Sequence, residues 1–412
     1  MRILVVSQYF WPENFRINDL CEELVNRGHD VTVLTGKPNY PLGVFFSEYK
    51  KSPEMYHEYK GCRIVRVPII PRGRNKLQLI LNYLSYPLMA SIYGMKRLKD
   101  DEFDVVFTCQ LSPVFIALPG LIISNRKKIP VVMWILDLWP ESLESMGITK
   151  PKFVLNLIGK FVSYTYKKTN LILGQSRAFY DDIAQYCSDK SKIRYFPSWS
   201  ESVFLQPTNS NVGTLMETDA FKILFAGNVG EAQDFPSILA AVEEIKIKNL
   251  NVKIFVVGDG RAFESVKALV EEKKLSDIVI LLGRFPLADM PAFYAAADAL
   301  LVSLKESKAF AMTIPGKVQT YMVAAKPILT MLTGEGSRVV NEASCGLVAD
   351  SGDFMQLAEN IIKMESLSQN ELMRLGENAR AYAEKEFDRE RLITQLENWF
   401  EEVVLAPEEN RS

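Results

Sequence analysis

KESKAFAMTIPGKVQTYMVAAKPIL, running from Lys305 to Leu329, is the stretch on which the fold turns. Just before it, Leu300 to Leu304 is an apolar run of strand length. Lys305 to Thr313 is small and polar and reads as a loop. Pro315 then opens a helix through about Ala325, since proline at a first helical position lacks only a donor the helix leaves unused. Pro327 starts the next strand. The bare N–H groups of such a helix start attract anions, and Lys317 falls in the first turn. A strand, a loop and a helix with a phosphate-ready tip are expected. Taken alone, the pattern also fits an ordinary βα turn with a solvated lysine.

At 412 residues the chain exceeds one ordinary core, and about two or three domains are expected. Hydrophobic residues make up 48% and charged residues 24%, a globular balance. The net charge of −2 gives no field that would favour nucleic acid. Cys21, Cys62, Cys109, Cys187 and Cys345 are scattered, without a C-x-x-C pair, and read as reduced thiols of a cytoplasmic protein. Two histidines, His29 and His57, give little material for a zinc site or a triad, so no metal is expected. The start does not read as a signal peptide. Leu77 to Met95, the most apolar span, is interrupted by Gln78, Asn82, Pro87 and Gly94, so no transmembrane helix is expected.

Strands and helices alternate from the first residue. Arg2 to Ser7 is a continuous apolar strand, Ile17, Leu20, Leu24 and Val25 recur at helical spacing, and Asp30 to Thr35 is the second strand. Further strands are expected at Arg63–Val67, Asp104–Thr108, Val131–Ile135, Leu171–Gly174 and Ile193–Phe196, with helices between them. This is the pattern of a doubly wound α/β domain over residues 1–200. Gln206 to Ala220 loses periodicity and reads as the crossing to a second domain, 201–388. There the pattern restarts at Phe221–Gly227 and continues through Val252–Gly258, Ile278–Gly283, Ala299–Leu304, Pro327–Met331 and Gly346–Ala349. A terminal helix in 389–412 carries Trp399 and Phe400 and is expected to return to the first domain.

Loops at the carboxyl ends of such strands bind ligands. The loop Gln8 to Asn14 contains Trp11, Glu13 and Asn14, which fit either a sugar or a neighbouring loop. It lacks G-x-G-x-x-G. Trp134 to Ser142 delivers Asp137 and Glu141, either of which would serve as a base or orient a hydroxyl. In the second half, Gly227, Asn228, Gln233, Gly258 and Arg284 stand at strand ends and are expected to line a nucleotide. Three tracts mix apolar runs with basic residues, Arg72–Lys99, Pro113–Lys128 and Lys152–Lys168, and suit peripheral contact with an anionic membrane.

Taken in order, Arg27-Gly-His-Asp-Val31, Ala226-Gly-Asn-Val-Gly230, Val257-Gly-Asp-Gly260 and Ala324-Ala-Lys-Pro-Ile328 resemble the family 4 glycosyltransferases. The resemblance spans almost the whole chain. Gln8-Tyr-Phe-Trp-Pro-Glu13, Asp137-Leu-Trp-Pro-Glu-Ser142, Gly230-Glu-Ala-Gln-Asp234 and Pro315-Gly-Lys-Val-Gln319 resemble the branch that builds bacterial surface polysaccharides. The resemblance implies a GT-B fold, two Rossmann-like doubly wound domains facing a central crevice. It implies transfer from a UDP-sugar, candidate N-acetyl-L-fucosamine, to an undecaprenyl-diphosphate-linked saccharide in O-antigen, lipopolysaccharide or capsule synthesis. The enzyme would sit peripherally on the inner face of a bacterial plasma membrane, retain configuration and need no cofactor or metal. A UDP-sugar epimerase and a non-catalytic sugar-nucleotide-binding scaffold are the alternatives. Two family features are absent: its diphosphate-binding Arg and Lys fall at Asn228 and Gln233, and its E-x(7)-E pair falls at Met312 and Thr320. Lys317 then remains as the catalytic cation, with Arg261, Arg284 and Lys305 in reserve. Thr313, Pro315 and Gly316 would meet the diphosphate, and Gln319 or Thr320 the ribose.

Overall fold

Strands apolar on both faces must be covered on both faces, and the chain satisfies this with two parallel sheets in the computed structural model. The structure describes residues 1–73, 75–141, 143, 151–205 and 210–407. Ser142 and part of the expected crossing, residues 206–209, lie outside the described residues.

Two units form: Met1–Pro197 with the chain from Glu390 onward, and Ser198–Arg389. The first thus ends slightly before residue 200, the expected boundary. Its eight strands are β1 (Arg2–Val6), β2 (Asp30–Gly36), β3 (Glu58–Tyr59), β4 (Cys62–Val67), β5 (Val105–Gln110), β6 (Val131–Ile135), β7 (Leu171–Gly174) and β8 (Ile193–Tyr195). They lie in the order β3-β4-β2-β1-β5-β6-β7-β8. Val5 of β1 sits beside Val33 of β2 and Phe107 of β5, so the winding direction reverses at β1. The loops after β1 and β5 therefore flank an open notch at the carboxyl edge. The short β3 pairs antiparallel to β4.

The second sheet holds β9 (Phe221–Ala226), β10 (Val252–Val257), β11 (Val279–Gly283), β12 (Ala299–Ser303), β13 (Ile328–Met331) and β14 (Gly346–Ala349), ordered β11-β10-β9-β12-β13-β14. Here the reversal falls at β9, between β10 and β12. The opening stretch follows β12 and becomes a helix over Gly316–Val323 with Pro315 as its N-cap. The expected loop before it carries a short helix of its own, Lys308–Ala311.

The terminal helix, Arg389–Leu405, packs in the first unit through Trp399 and Phe400. Phe400 meets Phe107 edge-on at 5.6 Å and Trp399 meets Phe196 at 5.9 Å. Glu397 holds Arg27 at 2.6 Å and His29 at 2.8 Å, which gives His29 a structural post.

The three apolar–basic tracts diverge. Arg72–Lys99 forms the helix Lys76–Met89, a π turn at Ala90–Gly94 and a short helix at Met95–Arg97. The irregularity follows Pro87, which cannot donate to the helical ladder. Leu77, Leu84, Leu88 and Ile92 are more than half exposed. Lys152–Lys168 likewise leaves Phe153 and Leu157 outside. Pro113–Lys128 is core: Ala117, Leu121 and Ile123 are buried against β1 and β5 neighbours, so this tract offers no membrane face. Periodicity locates an apolar face but not the element that covers it.

Candidate active site

Val318, Tyr321 and Met322 anchor the helix Gly316–Val323 in the core of the second unit. The Tyr321 hydroxyl accepts from the Ala226 N–H at 3.0 Å and reaches the Ala226 carbonyl at 3.3 Å, fixing the helix to the end of β9. Lys317 and Thr320, three residues apart, then share the face that looks into a cavity of about 550 Å³. Cavities of this size accommodate cofactor-sized ligands. Gly227, Asn228, Gly258, Asp259, Arg284, Phe285, Met290 and Tyr294 also line it.

Lys317 as a whole is half-buried, but its Nζ has no solvent contact and, among the described residues, no hydrogen-bond partner. It stands 3.6 Å from the centre of the Phe225 ring. Burial pushes its pKa down to about 7. A buried amine without an acceptor costs free energy, so its presence in a cavity wall points to an anion that is bound there. The glycines make room for it. Gly227 has φ +124°, and a Cβ there would lie 2.7 Å from Lys317 Cε. Gly258 has φ +143°, and its Cβ would lie 1.8 Å from the Gly227 carbonyl oxygen. Gly258→Ala is therefore expected to cost the second unit roughly 3 kcal/mol or more, read as a lowered melting temperature.

Other expected donor residues are partly displaced. Asn228 lines the cavity, but its Nδ2 donates to Gln233 Oε1 at 3.1 Å. Gln233 Oε1 also accepts from the Gly230 N–H, so this side chain braces the loop and stays off the cavity wall. Gln319 is 2% exposed and donates to the Ser198 carbonyl at 2.8 Å, which turns it away from the ribose position expected of it. Thr320 lines the cavity and approaches the Ser200 hydroxyl at 3.4 Å. Thr313 closes its own turn onto the Phe310 carbonyl, and neither it nor Pro315 and Gly316 forms the wall. Glu201, Phe204 and Tyr294 were missed. Phe204 stacks on Tyr294 with centroids 5.5 Å apart, a pairing between the turn Ser202–Leu205 and the helix Met290–Ala296 that no local pattern announces.

In the first unit, Glu13 is 2% exposed and accepts from the N–H groups of Asn39 at 2.7 Å, Tyr40 at 2.7 Å and Phe10 at 3.3 Å. Burial pushes its pKa up to about 7. It fastens two loops together and is spent on the fold, which corrects its expected place at an acceptor. Trp11 is stacked on Tyr56 and Tyr59 at 5.0 and 5.2 Å, also within the fold. Asn14 is exposed.

The two candidate carboxylates separate. Asp137 follows β6, is half-buried, takes hydrogen bonds from Ser112 and lies close enough to Tyr83 to add to the rise that burial gives the phenol's pKa. Desolvation raises its own pKa. Glu141 instead engages Tyr186, on the helix Phe179–Tyr186.

Residues 14–199 match the family described as glycosyl transferase 4-like domain, and residues 210–382 match glycosyl transferases group 1. The chain is a glycosyltransferase of the GT-B fold, built from these two domains in series. That activity replaces the epimerase and scaffold alternatives. It is similar to the probable glycosyltransferase WbjE of Pseudomonas aeruginosa, with 24% identity over 300 residues that cover 71% of this chain and 73% of the relative. WcaI of Escherichia coli strain K12, named as a glycosyl transferase of colanic acid biosynthesis, is 24% identical over 427 residues, covering 97% and 99%. The crystal structure of Anabaena Alr3699/HepE in complex with UDP and glucose has the same fold, with a TM-score of 0.67 at 15% identity over 97% of this chain and 99% of that one.

Proposed function

We propose that this chain transfers a sugar, candidate N-acetyl-L-fucosamine, from a UDP-sugar to an undecaprenyl-diphosphate-linked saccharide in O-antigen or capsule synthesis. The observation that carries the donor reading is the unpartnered Lys317 amine in the wall of a nucleotide-sized cavity. An anionic diphosphate supplies what that amine lacks. The similarity to proteins named for polysaccharide work, and to a structure holding UDP, supports the same reading.

In the proposed retaining route, the bond between the sugar C1 and the β-phosphate oxygen breaks. The acceptor oxygen bonds C1 on the same face, and its proton passes to a phosphate oxygen. Lys317, which takes a proton from solvent as the diphosphate dianion arrives, stabilises the charge on the leaving group without a metal. Arg284 and Phe285 line the same cavity and would stack on a uracil. Asp137, held by Ser112, orients the acceptor hydroxyl.

Peripheral contact with the anionic inner face of a bacterial plasma membrane belongs to the proposal. Leu77 and Ile92 stand outside on the stretch that ends in the exposed Lys96 and Lys99, and Phe153 and Leu157 stand outside on a second helix.

A donor screen tests this reading, using undecaprenyl-diphosphate-GlcNAc in membranes as acceptor and mass spectrometry of the lipid product. A mass gain with UDP-N-acetyl-L-fucosamine is expected. A gain with a different UDP-sugar reassigns the donor. Tight UDP-sugar binding with no gain on any prenyl-linked acceptor overturns the acceptor class.

A further inference from the structure

A second recess lies in the first unit. It is an apolar groove of about 370 Å³ walled by Pro68, Ile70, Leu81, Leu84, Leu88 and Met89. The polar group in it, the Ser85 hydroxyl, is already occupied: it accepts from the Ile70 N–H and donates to the Asn82 carbonyl, both at 3.0 Å. Only an aliphatic group is matched by such a wall. Leu84 and Leu88 are 51% and 54% exposed, so the groove is open along one side.

A cation follows the groove-lining Ile70 closely in the chain. From Ile70 the chain runs two residues to Arg72, about 7 Å of extended backbone. The Arg72 N–H is fixed by Asn39 Oδ1 at 2.8 Å, and the guanidinium lies 5.5 Å from the Tyr40 ring and 5.9 Å from the Tyr83 ring. Tyr83 precedes Leu84 on the same helix, which joins the aromatic cage to the groove wall. Among the described residues, no carboxylate pairs with Arg72, whereas Arg2, Arg27, Arg63 and Arg338 all have carboxylate partners. Its side-chain partner is the Tyr9 phenol. A guanidinium caged by aromatic rings and left without a counter-ion is suited to a phosphate. Asp137 lies close to Tyr83 as well.

The first unit thus offers an aliphatic groove, an arginine with no carboxylate partner among the described residues and, near Tyr83, the carboxylate of Asp137. We infer that this is a prenyl diphosphate site: the groove seats the first isoprene units of the acceptor lipid, and Arg72 holds its diphosphate. A prenyl diphosphate carries both the aliphatic chain that suits the wall and the anion that suits the guanidinium. This rests on the lipid-linked acceptor proposed above and assigns its seat. It also distinguishes the groove from a mere bilayer contact, which would need no caged cation.

Titration calorimetry of the full chain tests the site, with farnesyl diphosphate as the probe and neither vesicles nor donor present. Binding at least tenfold tighter than that of inorganic diphosphate or farnesol is expected. Arg72→Gln and the double variant Leu84→Gln/Leu88→Gln should each weaken it about tenfold or more. The two leucines are over half exposed, so their replacement leaves the core intact. UDP affinity, a property of the second unit, should stay within twofold in all variants and reports correct folding. Inorganic diphosphate competing as well as the prenyl probe would overturn the inference, as would unchanged binding in the double variant. Displacement of the probe by phosphatidylglycerol vesicles alone would overturn it in favour of a bilayer patch. Failure of the transferase reading looks different: UDP binding is lost while farnesyl diphosphate still binds.

Discussion

Lys317→Met is expected to make the ligand-free protein more stable and to abolish its response to UDP. The amine is held over Phe225 with no acceptor, and its folded pKa of about 7 lies far below the ordinary lysine value near ~10.4. The unfolded chain therefore binds a proton that the folded chain holds less firmly. The resulting cost is fully present below pH 7 and fades as pH rises towards about 10. Methionine fills similar volume and suits the aromatic face, so roughly 1–3 kcal/mol should return at neutral pH. For a unit of this size that is about 2–4 °C in melting temperature per kcal/mol. In exchange, transfer should fall by roughly 10²–10³-fold, as when a preorganised charge stabiliser is removed. Thermal melts with and without UDP, beside a transfer assay, check both halves. A variant that melts lower when empty, yet still gains stability from UDP, would remove Lys317 from the site.

Glu13→Ala should damage the first unit more than any change at its surface. It deletes the acceptor of three buried backbone N–H groups, those of Phe10, Asn39 and Tyr40. Each orphaned donor costs about 1–3 kcal/mol, and partial hydration lowers the sum, so a loss of roughly 3 kcal/mol or more is expected. Glu13→Gln keeps an acceptor oxygen and should lose about half as much. Denaturant unfolding of the three proteins measures the series, and UDP affinity should survive wherever the protein folds. Normal stability of Glu13→Ala combined with lost turnover of acceptor would return this carboxylate to the acceptor site.

The sheets were largely legible because their strands are short apolar runs closed by glycine or polar loops. Val131–Ile135, Leu171–Gly174 and Gly346–Ala349 form over those same residues. The antiparallel Glu58–Tyr59 was not legible, since two residues carry no periodicity. Lys317 could be reached by noticing that the usual cations of the resembling family are missing at Asn228 and Gln233. What those amides do instead was hidden, because their mutual bond depends on a loop conformation. Gln319 and Glu13 mislead for one reason. A polar side chain near a strand end can look outward to a ligand or inward to a backbone group, and only tertiary packing decides. Asp137 and Glu141 read as equivalents four residues apart, yet one meets Ser112 and the other Tyr186. The apolar Pro113–Lys128 tract failed for the converse reason: its periodicity was real, but the face was core.

The central claim is that a nucleoside diphosphate completes the buried amine of Lys317. Titration calorimetry with UDP, at about pH 8 in two buffers of different ionisation enthalpy, counts the protons taken up. Free Lys317 is mostly neutral there, and a diphosphate beside it favours the ammonium. Uptake approaching one proton is predicted, with affinity falling roughly tenfold per pH unit above pH 7. Lys317→Met should show neither. Equal UDP affinity in both proteins, with no proton taken up by either, would contradict the account.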